Sequence, residues 1–168
     1  MQRIAGTADS VIPAHTKKFM IKIFNYLNPD LISFLDCQTR DEALNKMVEN
    51  LLEKGKIKDK EQFFHALLGR EKVVSTGIGM GVAIPHAKFP EFDDFFISIG
   101  LLKKGVHWGS LDGAPVRIIF MIGGPDDKQT EYLQLLSALT IAIKDEERRK
   151  KMLTLNSPIS MIELFEKF

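Results

Sequence analysis

Cysteine is nearly absent from this sequence, which has Cys37 alone among its 168 residues. A single cysteine excludes an internal disulfide, and by itself it cannot supply the thiolate set of a structural zinc site. A chain without such covalent supports depends on a packed core. Its length and its hydrophobic content of 45% are sufficient for one. The scarcity of cysteine favours a cytoplasmic location.

The chain also has no excess of charge and no long apolar run. Lys and Arg number 23 against 22 Asp and Glu, which gives a net charge of +1 and no reason to expect nucleic-acid binding. No apolar run approaches the roughly 20 residues that cross a bilayer. The apolar residues around Phe19 are too few for the core of a signal peptide. We therefore expect no direct membrane insertion, and any transport would need other polypeptides for the membrane part.

Helical and extended patterns alternate along most of the chain. Thr39-x-x-Glu42 is a capping box that predicts a helix through Leu52, and a second helix is predicted over residues 59–70. Strands are predicted over residues 31–35, 92–102 and 116–122, and further helices over residues 128–143, 146–153 and from 157 onward. Strands that alternate with helices, without a linker or a repeat, predict a single α/β domain.

The first 28 residues differ from the rest in their pattern. Residues 1–15 are mostly small and polar, whereas Lys17–Leu27 has the spacing of an amphipathic helix. We therefore predict an N-terminal extension over residues 1–28, whose helix packs on the domain or on a neighbouring chain. The domain itself is predicted over residues 29–168.

Glycine is concentrated in one stretch, Ser75-Thr76-Gly77-Ile78-Gly79-Met80-Gly81-Val82-Ala83-Ile84-Pro85-His86. The alternate glycines, Gly77, Gly79 and Gly81, can turn backbone N–H groups toward an anion. Pro85 restricts the backbone just before His86, so the histidine is held on a rigid segment. Neutral imidazole is a nucleophile near pH 7, and anion-binding amides beside it indicate phosphoryl chemistry. The stretch lacks the lysine of a P-loop and the spacing of a dinucleotide fingerprint, so we expect no nucleotide.

This stretch resembles the active-site segment of the enzyme IIA domains of the bacterial phosphoenolpyruvate-dependent sugar phosphotransferase system, fructose/mannitol type. The nitrogen-regulatory members are the most similar in appearance. Further matches lie at residues 66–72, 111–116 and 133–136, and the resemblance covers roughly residues 30–168. It implies a single mixed, mainly parallel sheet with helices on both faces. It also implies that His86 becomes a phosphohistidine and that no cofactor takes part.

The resemblance assigns further roles around His86. It implies that Arg70 contacts the phosphoryl group, and a guanidinium suits this role because its planar donors pair with two oxygens. Thr76 and the amides of Gly77, Gly79 and Gly81 are supporting candidates. Tyr132 stands where the family often has a second histidine. A phenol can donate one hydrogen bond but cannot become a cation, and packing alone is an equal alternative for Tyr132.

The resemblance also implies protein partners, with a histidine-containing phosphocarrier protein as the phosphoryl donor. The acceptor is a cysteine of a IIB domain if the chain serves sugar transport, or else the phosphorylation state controls a regulated target protein. The free-standing domain and Tyr132 favour regulation, and a binding module that has lost phosphotransfer is a further alternative. Phe89 and Phe92 follow His86 closely and are candidates for a docking surface, with the core as their alternative place. A metal site is not expected, because the spacings of the histidines and Cys37 match no metal motif.

Overall fold

The structure is a computed structural model that describes residues 21–168. Within this range the chain forms six strands and five α-helices. In chain order they are β1 (Leu27–Leu35), α1 (Arg40–Glu53), α2 (Lys60–Val73), β2 (Gly77–Gly79), β3 (Val82–Ala83), β4 (His86–Lys88), β5 (Phe96–Val106), β6 (Val116–Gly124), α3 (Gln129–Lys144), α4 (Glu146–Met152) and α5 (Pro158–Glu163). None of these helices has the length and apolar character that crossing a membrane requires.

The amphipathic helix predicted at Lys17–Leu27 does not form in its described part. Residues 17–20 lie outside the described residues, Ile23–Tyr26 forms a short 3₁₀ helix, and Leu27 already belongs to β1. The backbone of this segment pairs with distant parts of the chain, because the Phe24 N–H donates to the Phe168 carbonyl at 2.8 Å and Leu27 pairs with Ile97 in the sheet. The side chain of Ile23 is 1% exposed and packs in the core. The boundary at residues 28/29 stays a prediction.

The strands form one open sheet in the order β1-β5-β6-β3-β2, and β4 also pairs with β6. The pairs β1–β5, β3–β6 and β4–β6 are parallel, whereas β5–β6 and β2–β3 are antiparallel. The sheet is therefore mixed and mainly parallel, as expected from the resemblance.

Helices cover both faces of this sheet. Alternate side chains of β5 and β6 point to opposite faces, so the two strands supply two hydrophobic clusters. Ile97, Ile99, Ile118, Phe120 and Ile122 pack with the apolar faces of α3, α4 and α5. Phe96, Leu102, Ile119 and Met121 pack with α1 and α2 on the other face. The α/β class with helices on both faces is confirmed.

Side-chain caps begin four of the five helices, and three of these caps follow directly from sequence signals. Thr39 accepts a hydrogen bond from the Glu42 N–H at 3.2 Å, and Asp59 accepts one from the Gln62 N–H at 3.0 Å. Ser157 caps α5, which has Pro158 in its first position. Helix α2 continues past its predicted end at Arg70 as far as Val73, because the exposed Gly69 weakens a helix without ending it.

The glycine stretch forms a β-hairpin of β2 and β3. Its two turn residues, Met80 and Gly81, have φ angles of 59° and 74°, the signature of a type I′ turn. Asp112 holds the tip, since its Oδ2 accepts a hydrogen bond from the Met80 N–H at 3.0 Å. The hairpin brings the chain back along β6.

Strands β3 and β4 lie in line beside β6, with Ile84 and Pro85 between them. The register pairs Ala83 with Ile119 and His86 with Ile122, and the Pro85 carbonyl accepts a hydrogen bond from the Ile122 N–H at 2.9 Å. His86 therefore lies near the carboxyl end of β6. In open α/β sheets, ligand sites form at the carboxyl ends of parallel strands.

Candidate functional site

The His86 ring is half-buried and touches helix α3. Its nearest aromatic neighbour is Tyr132, with 5.5 Å between the two ring centroids. Tyr132 lies in the first turn of α3, which begins five residues after β6 ends. The chain thus brings His86 and Tyr132 together from positions 46 residues apart, as the resemblance implied.

One hydrogen bond determines which nitrogen of His86 is available. Nδ1 lies 3.2 Å from the carbonyl oxygen of Ile84. A carbonyl can only accept, so this contact places the proton on Nδ1 in the neutral ring. Nε2 then carries the free lone pair. The sequence could place Ile84 two residues before His86, but it could not show that the carbonyl reaches the ring.

The surroundings of His86 favour the neutral ring. Burial lowers the pKa of the imidazole below its ordinary value of 6.5, and the positive charges of Arg70 and Lys88 also lower it. The hydrogen bond to Ile84 and the charge of Glu71 act in the opposite direction. The net result is a His86 side chain that is uncharged and nucleophilic near pH 7.

Arg70 lies in the last turn of α2, which packs beside β4. Its Nη1 donates a hydrogen bond to the carbonyl of Val74 at 2.8 Å. Burial raises the pKa of the Tyr132 phenol, and the charge of the Arg70 guanidinium lowers it. Since α2 packs beside the strand that carries His86, Arg70 is the first of two cations near this histidine.

Lys88 is a second cation at this site, and it was not among the predicted site residues. Its Nζ lies 4.1 Å from the centroid of the Tyr132 ring and donates a hydrogen bond to Oε1 of Gln129 at 3.0 Å. Lys88 follows His86 by two residues in β4, so both side chains share one face of the strand. That alternation was the signal in the sequence that could have revealed it.

Thr76 belongs to a buried hydrogen-bond network. Its N–H donates to Glu71 Oε2 at 3.1 Å, and its hydroxyl also bonds to the Glu71 carboxylate. The indole N–H of Trp108 lies 3.3 Å from Glu71 Oε1 and 3.2 Å from Thr76 Oγ1. The Thr76 side chain therefore links the end of α2, through Glu71, to the start of the hairpin.

The structure does not bring Gly79 and Gly81 to His86. Val82, at the start of β3, pairs with Ile118, whereas His86 pairs with Ile122. Four strand positions correspond to about 13 Å, so the turn lies toward the other end of the sheet. Gly81 lies in the tight turn of the hairpin, and Gly79 directly precedes that turn.

Gly77 lies close to another part of the chain. Its N–H donates to Ser75 Oγ at 3.1 Å, and a Cβ added at this position would lie 2.2 Å from Ser110 Oγ. The absence of a side chain thus lets β2 pack against the loop after Trp108. The expected contacts of Thr76 and the three glycines with a phosphoryl group stay predictions. In the structure, Thr76 bonds to Glu71, and the glycines allow the hairpin turn and its close packing.

Phe89 and Phe92 are half-buried and pack on the face of the sheet covered by α1 and α2. Their ring centroids lie 6.0 and 6.3 Å from that of Phe63, and Phe92 also contacts Phe96 edge-on at 5.7 Å. The two rings border a cavity of about 290 Å³. They therefore contribute to the second hydrophobic cluster, and their role in docking stays a prediction.

Two other histidines among residues 21–168 lie outside this site. His65 and His107 are both exposed, and neither belongs to β4 or α3. Within residues 21–168, no three His, Cys, Asp or Glu side chains come together in a way that could hold a metal ion. The chemistry of the site is therefore that of a neutral imidazole with two cations and a phenol beside it.

Comparison with known proteins identifies the family of this chain. The family model "Phosphoenolpyruvate-dependent sugar phosphotransferase system, EIIA 2" matches residues 25–168. The chain belongs to this family. The fructose-specific EIIABC component of Bacillus subtilis is 35% identical over 77% of this chain. The match spans only 20% of the length of that protein. A nitrogen regulatory protein of Klebsiella oxytoca is 29% identical over 86% of this chain and 90% of its own length.

A solved structure agrees with the fold. The crystal structure of the nitrogen regulatory protein IIA-Ntr from Neisseria meningitidis matches with a TM-score of 0.79 at 24% identity, over 85% of this chain and 98% of that chain. The resemblance stated from the glycine motif is confirmed, since the relatives include both sugar-specific and nitrogen-regulatory proteins of the phosphotransferase system.

Proposed function

We propose that this IIA domain is a phosphoryl carrier that accepts a phosphoryl group on Nε2 of His86. The observation that carries the proposal is the contact of Nδ1 with the Ile84 carbonyl, which leaves Nε2 with a free lone pair. In the transfer, this lone pair forms the new N–P bond while the N–P bond of the donor breaks. The donor nitrogen leaves with its electron pair, and the proton on Nδ1 stays in place.

The positive charges near His86 support the same proposal. A phosphoryl group brings nearly two negative charges, which require cationic or N–H partners. Arg70 lies close enough to influence the pKa of both His86 and Tyr132. Transfers of this kind depend mainly on positioning and on electrostatic stabilisation. In this proposal Arg70 stabilises the phosphoryl oxygens during transfer.

A mass measurement tests the acceptor. The protein is incubated with phosphoenolpyruvate and the upstream carriers, including the histidine-containing phosphocarrier protein, and its intact mass is measured. We expect one phosphoryl group on the wild type and none on His86→Ala. His65→Ala and His107→Ala are matched controls, because both histidines are exposed, and they should gain mass as the wild type does. An equal gain in His86→Ala would overturn the proposal.

We further propose a regulatory output, in which phosphorylation of His86 changes the binding of a target protein in the cytoplasm. Support comes from the nitrogen regulatory relative, which covers 86% of this chain, and from Tyr132 in place of a second histidine. The competing function is sugar transport, in which the phosphoryl group moves on to a cysteine of a IIB domain. The fructose-specific relative, at 35% identity, favours that alternative.

A transfer experiment separates the two outputs. The phosphorylated protein is mixed with a purified fructose-type IIB domain, and the loss of phosphate from His86 is followed by mass. Loss that is much faster than in buffer would establish the sugar branch. For a regulator we expect no such loss, and a target protein whose affinity differs between His86→Asp and His86→Ala. A chain that gains no phosphate from any donor would be the binding module considered above.

A further inference from the structure

Lys88 occupies a defined position at the candidate site although it is only half-buried. Two contacts hold its ammonium group, the face of the Tyr132 ring at 4.1 Å and the Gln129 side chain at 3.0 Å. Both partners lie in the first turn of α3, the helix whose Tyr132 ring touches His86. The same aromatic ring thus contacts the imidazole and carries a cation.

A phosphoryl group on His86 would carry more negative charge than Arg70 alone neutralises. A phosphoryl group on His86 brings nearly two negative charges, and Arg70 supplies one positive charge. The phenol of Tyr132 remains neutral, because burial raises its pKa. The carboxylate of Glu71 is turned into the network with Thr76 and Trp108. Lys88 is the other cation whose charge reaches the His86 ring.

Lys88 lies close enough to His86 for its ammonium group to contact a phosphoryl group on that residue. His86 and Lys88 are two residues apart in β4, so their Cα atoms lie about 6 to 7 Å apart on one face. The side chain of a lysine is flexible and carries three donors that rotate freely. An ammonium group resting on Tyr132 can therefore move to an oxygen of a group bound at Nε2 without a change in the backbone.

We propose that Lys88 binds the phosphoryl group on His86, with the ring of Tyr132 as the support that holds the ammonium group in place. The inference rests on the proposed phosphoryl-carrier function and assigns the second positive charge of the site to a strand residue. Tyr132 is then a positioning residue. Lys88 forms and breaks no covalent bond; it neutralises charge in the transfer and in the phosphorylated product.

The test compares Lys88→Met, Lys88→Arg and the remote variant Lys150→Met. Lys150 is a matched control because it also loses one charge, and it lies with Met80 and Gly81 at the hairpin end of the sheet. We expect Lys88→Met to slow phosphate acceptance by about 10- to 100-fold, as removal of one donor to developing charge does. Lys88→Arg keeps the charge and should retain most of the rate, and Lys150→Met should behave as the wild type.

Two further measurements distinguish phosphoryl binding from a structural role. The ³¹P resonance of the phosphorylated protein should shift in Lys88→Met and stay in place in Lys150→Met. In the unphosphorylated protein, loss of the Lys88 charge should raise the pKa of His86, measured by NMR titration with Arg70 and Glu71 intact. Lys88→Gln, examined in parallel, guards against misfolding of the methionine variant.

The outcomes separate this inference from the proposed function. If the wild type gains no phosphate, the phosphoryl-carrier proposal fails and the inference fails with it. If the wild type gains phosphate and both Lys88→Met and Lys88→Gln match Lys150→Met in rate and in ³¹P resonance, the function stands and the role of Lys88 is refuted. A larger loss in Tyr132→Phe than in Lys88→Met would assign the contact to the phenol hydroxyl instead.

Discussion

At the scale of single residues, the main chain determines which nitrogen of His86 is the proposed phosphoryl acceptor. The Ile84 carbonyl accepts from Nδ1, so the tautomer follows from the backbone two residues earlier. The sequence predicted the histidine, and Pro85 predicted its rigid mount. It could not predict the hydrogen bond, because that depends on the local path of the chain between β3 and β4.

The neutral state of His86 has a measurable consequence for stability. Burial lowers the folded-state pKa below 6.5, whereas the unfolded chain has the ordinary value. Between these two values the unfolded state binds more protons, so stability is lost as the pH falls below 6.5 and is unaffected by this group well above it. Urea unfolding at pH 7.5 and at pH values below 6.5 should show a smaller loss in His86→Gln than in the wild type. An NMR titration midpoint of His86 above 6.5 would contradict this prediction.

Arg70 tests the electrostatic part of the proposal. Replacement by alanine removes one preorganised donor, and we expect phosphate acceptance to slow by about 100-fold. The free energy of unfolding should change by only about 0.5 kcal/mol, since Arg70 makes one exposed bond to the Val74 carbonyl. Lys72→Ala is the control, because Lys72 is an exposed cation in the same turn of α2. A similar loss of rate in both variants would mean that general charge, rather than Arg70, drives the reaction.

At the scale of elements, the cap signals predicted where helices begin, whereas the helical pattern at Lys17–Leu27 was wrong in its described part. The caps at Thr39, Asp59 and Ser157 begin helices as expected, because a cap involves only neighbouring residues. The strand predicted from Phe92 begins at Phe96, since Phe92 turns into the aromatic cluster with Phe63. Such packing joins distant positions, and no local pattern reveals it.

The glycine stretch shows the same limit. Three alternate glycines before a histidine indicated an anion cradle, whereas positive φ angles at Gly79, Met80 and Gly81 serve a hairpin turn. The same composition suits both structures, because both need backbone that L-residues rarely adopt. The position of the turn relative to His86 follows from the register of β3 beside β6, and that register is a tertiary property.

The hairpin turn offers a prediction of stability. Met80 has a φ angle of 59°, in the left-handed region, and its side chain is 41% exposed. Asparagine tolerates this conformation, and Asn-Gly is a preferred type I′ pair. Met80→Asn should therefore raise the free energy of unfolding by about 0.5 to 1 kcal/mol in urea titrations. Gly81→Ala, with a φ angle of 74° in the wild type, should lower it by about 1 kcal/mol. A destabilised Met80→Asn protein would contradict this account of the turn.

At the scale of the whole molecule, the class was predictable and the start of the domain was less so. Alternating helices and strands gave α/β, since a helix and a sheet must each cover an apolar face. Packing of this segment on the domain was one of two expected alternatives, and Ile23 does pack in the core, although from a 3₁₀ helix instead of an amphipathic α-helix. We propose that the domain includes Ile23 and therefore begins before residue 29.

Truncation tests this boundary. We expect a chain that begins at Ile21 to unfold at a higher urea concentration than a chain that begins at Pro29. A chain that begins at Pro29 loses Ile23, which is 1% exposed, and the first residues of β1. Loss of a buried side chain of this size costs about 2 to 5 kcal/mol. Equal stability of the two truncated chains would restore the boundary at residues 28/29.

The Ile84 carbonyl beneath His86 limits how such a carrier can be inactivated. A main-chain oxygen is present whatever side chain stands at its residue, so no single replacement at position 84 can delete the acceptor. Replacement of Arg70 or Lys88 leaves this contact in place, so it should not change which nitrogen carries the proton. A form of this ring with its proton on the other nitrogen therefore requires a different backbone path where β3 passes into β4.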